Sequence, residues 1–200
     1  MSERRRAPGR GGARSSRSDA PAAAVRLRPP AQTPAADLAA LPAGVEVHFA
    51  NEELFIGSWG CVQINVWRGP QRLAYARPRG DSAELLAAGR AGPIAQLTIV
   101  LQNAALPDEP TREALAKLRS HRASSRVVAC AGLAEGAPLR KAALRAVSID
   151  LDQRVPPPFP TRMFDNRVDA VLWLVAALER AGESVDGRAL LGVLTALCGA

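Results

Sequence analysis

The sequence has few aromatic residues, few cysteines and no long apolar run. Aromatic residues make up 4% of the 200 residues, so a core must be built from Ala, Val, Leu and Ile. Three widely spaced cysteines, Cys61, Cys130 and Cys198, exclude a disulfide framework and a zinc-finger spacing. No stretch approaches the roughly 20 apolar residues that span a bilayer, and no apolar segment of a secretory signal follows the basic N-terminus. We therefore expect a cytoplasmic protein without a bound metal.

Positive charge is concentrated at the N-terminus. Residues 1–44 contain eight arginines and three acidic residues, whereas the remainder contains 18 basic and 16 acidic residues. Because this first segment is rich in Arg, Ser, Gly, Pro and Ala and has no apolar periodicity, we predict a disordered tail over 1–44. Such a tail is either an electrostatic tether to nucleic acid or an anionic membrane, or a solubilising extension.

Apolar patterns from Val45 onward predict several strands. Residues 45–49 and 61–67 alternate between apolar and polar, with a short extended piece at 54–56 between them, which is typical of an antiparallel meander. Gly57 to Gly60 indicates a turn. Nearly continuous apolar runs at 96–101 and 126–131 predict central strands covered on both faces, and a short strand follows at 161–164.

Helical patterns separate the later strands. We predict helices over residues 82–88, 107–120, 139–147, 168–178 and 187–197. The alternation of strands and helices predicts an α/β domain over 45–180, with a single mixed sheet of about five strands and parallel crossovers. The last helix, within 181–200, is apolar on most of its circumference, so we expect it to pack on the domain or on a second copy as a homodimer.

The order of these elements resembles the STAS superfamily of sulfate-transporter and anti-sigma-factor-antagonist domains. Residues 126–132 resemble its penultimate strand, residues 139–144 the following helix, and residues 159–171 its closing Phe-Pro, strand and helix pattern. The resemblance covers about residues 45–180. It implies a STAS-like fold and a non-catalytic regulatory or scaffolding role through protein docking.

The loop after the central strand departs from that family. Phosphoswitch members carry a serine there, whereas residues 102–111 contain no serine and Thr111 is the only hydroxyl. Asp108 and Glu109 already place negative charge where a phosphate would lie. We therefore expect a partner protein to bind the surface around 102–111 and 132–138, with Asn103, Asp108, Thr111 and Gly132 as contacts.

Trp59 is a further candidate contact because it lies in a predicted turn. A large aromatic residue there either folds back over the core or remains exposed as an anchor for a partner.

No pattern in the sequence predicts catalysis or a cofactor. The sequence contains neither GxxxxGK[ST] nor GxSxG, and no GxGxxG follows a strand. Cys130 with His48 or His121 is a conceivable nucleophile pair, but a cysteine within an apolar strand is expected to be a core residue with a raised pKa. If Asp150 and Asp152 lie on a strand, their side chains share one face and could bind a cation together; on a helix or in a loop they would not.

The residues thus leave three functional hypotheses. The first is a docking domain that binds another protein, and the second is a nucleic-acid-associated protein that uses the basic tail. The third is a small-molecule or lipid-binding domain, since sheet-and-helix folds often contain apolar pockets.

Overall fold

A computed structural model describes residues 41–120 and 125–198 of the chain. The predicted tail therefore lies outside the described residues except for 41–44, and so does His121. The strands are β1 (Val45–Ala50), β2 (Leu54–Trp59), β3 (Val62–Trp67), β4 (Ile94–Val100), β5 (Val127–Ala134) and β6 (Thr161–Phe164). The helices are α1 (Ala76–Gly89), α2 (Glu109–Leu118), α3 (Pro138–Arg154), α4 (Arg167–Arg180) and α5 (Gly187–Cys198), with a short 3-10 turn at Leu73–Tyr75 before α1.

The six strands form one mixed sheet in the order β1-β2-β3-β4-β5-β6. The pairs β1–β2 and β2–β3 are antiparallel, and the pairs from β3 to β6 are parallel. The predicted α/β class, single mixed sheet and antiparallel start are confirmed, with six strands instead of about five. Spatial order equals chain order, so each parallel connection is a crossover to the adjacent strand.

Helices cover both faces of this sheet. Helices α1, α2 and α3 connect successive parallel strands in one direction, and the constant right-handedness of such crossovers places all three on one face. Helices α4 and α5 cover the other face, where Leu174 and Leu194 belong to the same buried cluster as Val62, Ile64 and Ile99. This cluster is almost entirely aliphatic, as the low aromatic content predicts.

The last helix packs on its own domain. Leu190, Val193, Leu194 and Leu197 are buried in the main core cluster. Arg68 donates a hydrogen bond of 2.8 Å to the carbonyl oxygen of Leu197. The apolar residues that suggested a homodimer are therefore already covered within one chain.

Several elements extend beyond the predicted bounds. Strand β2 continues through Gly57 and Ser58 to Trp59, where a turn was predicted. Helix α1 begins at Ala76, ahead of the predicted start at 82, and includes Pro78 and Gly80. Proline in a first helical turn loses no internal hydrogen bond, which explains its tolerance there.

Helix α3 is longer than predicted and includes both Asp150 and Asp152. Residues two apart on a helix point in different directions, so the two carboxylates do not form a shared cation site. Asp150 instead forms ion pairs with Arg154 at 2.9 Å and Arg112 at 3.6 Å.

Candidate functional site

Three of the five predicted contact residues lie at the edge of the sheet where the parallel strands end. We call this surface the carboxyl edge: residues 101–108, 135–137 and 165–166, with the first turns of α2, α3 and α4. Asn103 is exposed in the loop after β4. Asp108 caps α2 by accepting a hydrogen bond of 3.0 Å from the backbone N–H of Thr111, and hydrogen bonding by Thr111 lowers the pKa of that carboxyl. Thr111 itself is buried, so Asn103 and Asp108 are the members of this trio that a partner can reach.

The other two predicted residues lie elsewhere. Gly132 is inside β5, beneath the helices, because that strand continues to Ala134. A side chain at Gly132 would overlap the sulfur of Met163, so this glycine permits close packing between neighbouring strands. Trp59 pairs with Val62 at the opposite end of the sheet, where it is half-buried against the α4–α5 core.

Three exposed apolar side chains occupy the carboxyl edge. Leu106 in the loop before α2 is 42% exposed, Leu139 in the first turn of α3 is 85% exposed, and Val168 in the first turn of α4 is 51% exposed. Soluble domains expose single apolar residues routinely, but a group on one surface indicates an interaction site.

Arginine side chains fasten the segments that carry these three residues to one another. Arg140, next to Leu139, donates hydrogen bonds to the carbonyl oxygens of Leu101 and Ala104 in the loop before α2. Arg167, next to Val168, pairs with Glu135 at 2.7 Å in the loop before α3. These hydrogen bonds and this ion pair link the three segments of the carboxyl edge.

A second site, which the sequence analysis missed, lies between the sheet and the helices α1, α2 and α3. It is a partly open cavity of about 90 Å³ that adjoins a smaller one of about 50 Å³. The register of the parallel strands places Gln63, Gln96, Cys130 and Thr161 side by side in one row. Of this row, Gln96, Cys130 and Thr161 line the cavity, so a polar stripe forms part of its floor.

Two arginines approach this floor from the helices. Arg79 of α1 donates a hydrogen bond of 3.0 Å to Thr98 and forms no ion pair among residues 41–120 and 125–198. Arg119, just after α2, forms an ion pair with Asp152 of α3, and Asp152 also accepts a hydrogen bond of 2.9 Å from Thr161.

Burial shifts the titration of the groups in this cavity. It lowers the pKa of both guanidinium groups, of Arg79 and Arg119, because the charged form is taken out of water. It raises the pKa of the Cys130 thiol, and the two nearby arginines only partly oppose that effect. The direction of this shift is the one expected for a cysteine within an apolar strand.

His48 does not reach Cys130 but belongs to a separate polar chain. It lies on β1, and three strands separate it from β5. Its Nδ1 is 2.6 Å from the Ser82 hydroxyl and its Nε2 is 3.3 Å from Ser58. Ser82 is buried and also accepts a hydrogen bond from Gln63, whereas His48 is partly exposed and borders a separate cavity with Glu46 and Leu85.

Sequence periodicity contains one signal for the cavity. Gln63 and Asn65 alternate with apolar residues on β3, a pattern that predicts a half-exposed strand, yet every residue of β3 is buried. The signal is indirect, because neither residue lines the cavity, but Gln63 accepts a hydrogen bond from Gln96, which does.

Within the described ranges, no three His, Cys, Asp or Glu side chains come together as a metal site. None of the helices in those ranges combines the length and apolar character needed to cross a bilayer. No family model, no curated protein and no solved structure matches the chain.

Proposed function

We propose that the chain is a docking domain whose carboxyl edge binds a partner protein. The observation that carries this proposal is the group of exposed side chains Leu106, Leu139 and Val168 on segments that arginines hold together. The order of elements, which resembles that of the STAS superfamily, supports the same role. The partner should present an apolar segment, because charged residues of this edge such as Glu135 and Arg167 already pair with one another.

The exposure of each side chain ranks its contribution to docking. Burying a leucine side chain completely contributes about 1.5–3 kcal/mol. Leu139 is almost entirely exposed and gains nearly that full amount, whereas Leu106 is already more than half covered and gains about half of it. Truncation of Leu139 to alanine should therefore weaken partner binding about 30-fold, and truncation of Leu106 about 5-fold.

A comparison of two variants on one helix tests the proposal. Leu139→Asp places an acid in the first turn of α3, where the helix dipole favours it, so the fold should remain stable. Ile149→Asp is the matched control, because Ile149 is also exposed on α3 but is more than two turns away from the carboxyl edge.

Both variants and the wild-type chain are used as bait in lysate of the source organism, after thermal melts confirm that all three are folded. A stoichiometric partner should bind the wild type and Ile149→Asp and be lost from Leu139→Asp, and titration with that purified partner then gives each Kd. Equal binding of the partner by Leu139→Asp would show that docking does not use this edge.

A further inference from the structure

The cavity between the sheet and the helices α1, α2 and α3 has an unbalanced charge. Arg79 and Arg119 are two cations in its wall, and Asp152 is the carboxylate that pairs with one of them. Arg162 also borders the cavity, but its guanidinium group lies over the ring of Phe164, 5.1 Å from the ring centroid. One positive charge, that of Arg79, is left without a counter-ion in this part of the structure.

An arginine in this position cannot relieve the imbalance by losing its proton. Its pKa lies so far above neutrality that burial lowers it without neutralising the side chain. Among the residues that the structure describes, the Arg79 guanidinium donates one side-chain hydrogen bond, to Thr98, which leaves most of its donors without a partner there. These donors, and the net charge, fit a bound anion.

The charge balance distinguishes between classes of anion. A carboxylate carries one negative charge and neutralises the cavity, whereas a phosphate monoester or sulfate carries about two and would leave an excess negative charge beside Asp152. A guanidinium group also matches a carboxylate geometrically, through two parallel hydrogen bonds. The site therefore favours a carboxylate.

The remaining wall and the volume define the rest of the ligand. Leu115, Leu144, Val147, Leu151 and Met163 form an apolar side of the cavity. The volume of about 90 Å³ is smaller than the roughly 150 Å³ of a cavity that holds benzene. A short alkyl chain fits this volume.

We propose that this cavity binds a short aliphatic carboxylate, with its carboxylate group between Arg79 and Arg119 and its alkyl chain against Leu115, Val147 and Leu151. This site is separate from the carboxyl edge and does not depend on docking.

The test is calorimetric titration of the full chain with sodium butyrate, compared with butyramide and inorganic phosphate at equal ionic strength. Butyrate should bind saturably with a Kd in the millimolar range or tighter. Butyramide has nearly the same shape without the charge and should bind at least about 10-fold more weakly, as expected from the loss of charged hydrogen bonds. Phosphate should also bind more weakly than butyrate.

Three variants locate the binding. Arg79→Gln should weaken butyrate binding about 10- to 100-fold. Arg77→Gln is the control on the same helix, since Arg77 is exposed and pairs with Asp81, and its affinity should equal that of the wild type. Asp152→Asn removes the carboxylate that competes for Arg119, so both butyrate and phosphate should bind more tightly than they bind the wild type.

Several results would overturn the proposal. Absence of saturable butyrate binding, equal binding of butyramide, or tighter binding of phosphate to the wild type would each exclude a carboxylate site. If Arg79→Gln does not fold, the affinity of Asp152→Asn for butyrate still tests the proposal, because this variant is expected to bind more tightly than the wild type. Unchanged affinity in Asp152→Asn would then count against the site.

Discussion

Replacement of Asn65 by valine should stabilise the fold, whereas replacement of Gln63 by leucine should destabilise it. Both residues lie on β3, face the helices α1, α2 and α3, and are completely buried. The amide of Gln63 donates to the carbonyl oxygen of Arg79 at 3.1 Å and to Ser82 at 2.9 Å, and its oxygen accepts from Gln96 at 2.9 Å. Neither polar atom of the Asn65 side chain has a hydrogen-bond partner among the described residues.

These contacts set the size of each effect. Burying an amide without a hydrogen bond costs about 1–3 kcal/mol in proteins. Valine is slightly larger than asparagine but suits a strand, so Asn65→Val should raise the free energy of unfolding by about 1–2 kcal/mol after a small cost of fitting the extra volume. Gln63→Leu removes three hydrogen bonds and leaves Gln96 without its acceptor, which should lower the free energy of unfolding by about 2–3 kcal/mol.

Urea unfolding of the two variants and the wild type, followed by circular dichroism, measures both effects. The midpoint should rise for Asn65→Val and fall for Gln63→Leu, and the dependence of the free energy on urea should stay constant if the unfolded state is unchanged. The pair is matched in strand, face and burial, so the difference reports hydrogen bonding.

The same direction of change in both variants would refute this reasoning. A loss of stability in Asn65→Val would mean that Asn65 has a partner in solution, such as a bound water or a ligand.

Three further predictions concern the backbone, a histidine and the thiols. Gly57→Ala should cost about 1–3 kcal/mol because its new methyl group would lie 2.5 Å from a backbone oxygen of β1, whereas Gly192→Ala on α5 meets nothing within 4 Å and should gain about 0.5–1 kcal/mol. Burial lowers the pKa of His48, so the unfolded chain binds more protons at mildly acidic pH; urea midpoints should fall as pH drops below about 6.5, less so in His48→Gln. Burial raises the pKa of Cys198 to about 11, so the folded protein should react slowly with a thiol reagent at pH 8.

Each of these predictions has a clear opposing result. Equal midpoints for the two glycine variants would contradict the close approach of β1 and β2. A pH profile that is unchanged in His48→Gln would assign the acid sensitivity to other groups. If the native chain reacts rapidly with the thiol reagent, and the rate does not increase when denaturant is added, the cysteines are accessible in the folded protein.

Much of the fold follows from apolar patterns along the sequence. The continuous runs in β4 and β5 predict central strands, and the spacing of apolar residues in α4 predicts a buried helix. The errors arise where tertiary contacts override local preference. Gly57 lies in an extended strand and not in a turn because it pairs with β1. Glycine is present at position 80 of α1 because the side chain of a larger residue would lie 3.1 Å from Leu118 of α2.

The cavity was harder to predict than the strands. For a single arginine on a helix, such as Arg79, a sequence pattern ordinarily predicts a side chain exposed to solvent. Its position depends on the packing of α1 against the sheet, from which its side chain reaches Thr98 of β4, and its proximity to Arg119 depends on the packing of a second helix. Both are long-range relations that a one-dimensional pattern does not contain.

The order of the sheet has a consequence for synthesis on the ribosome. Each strand pairs with the strand made immediately before it, so the sheet can grow by addition at one edge without waiting for distant segments. The helices α1, α2 and α3 join one face as the sheet grows, but α4 and α5 are made after the last strand. Until then Val62, Ile64 and Ile99 remain open to water, so the nascent chain is most prone to aggregation just before its final two helices emerge.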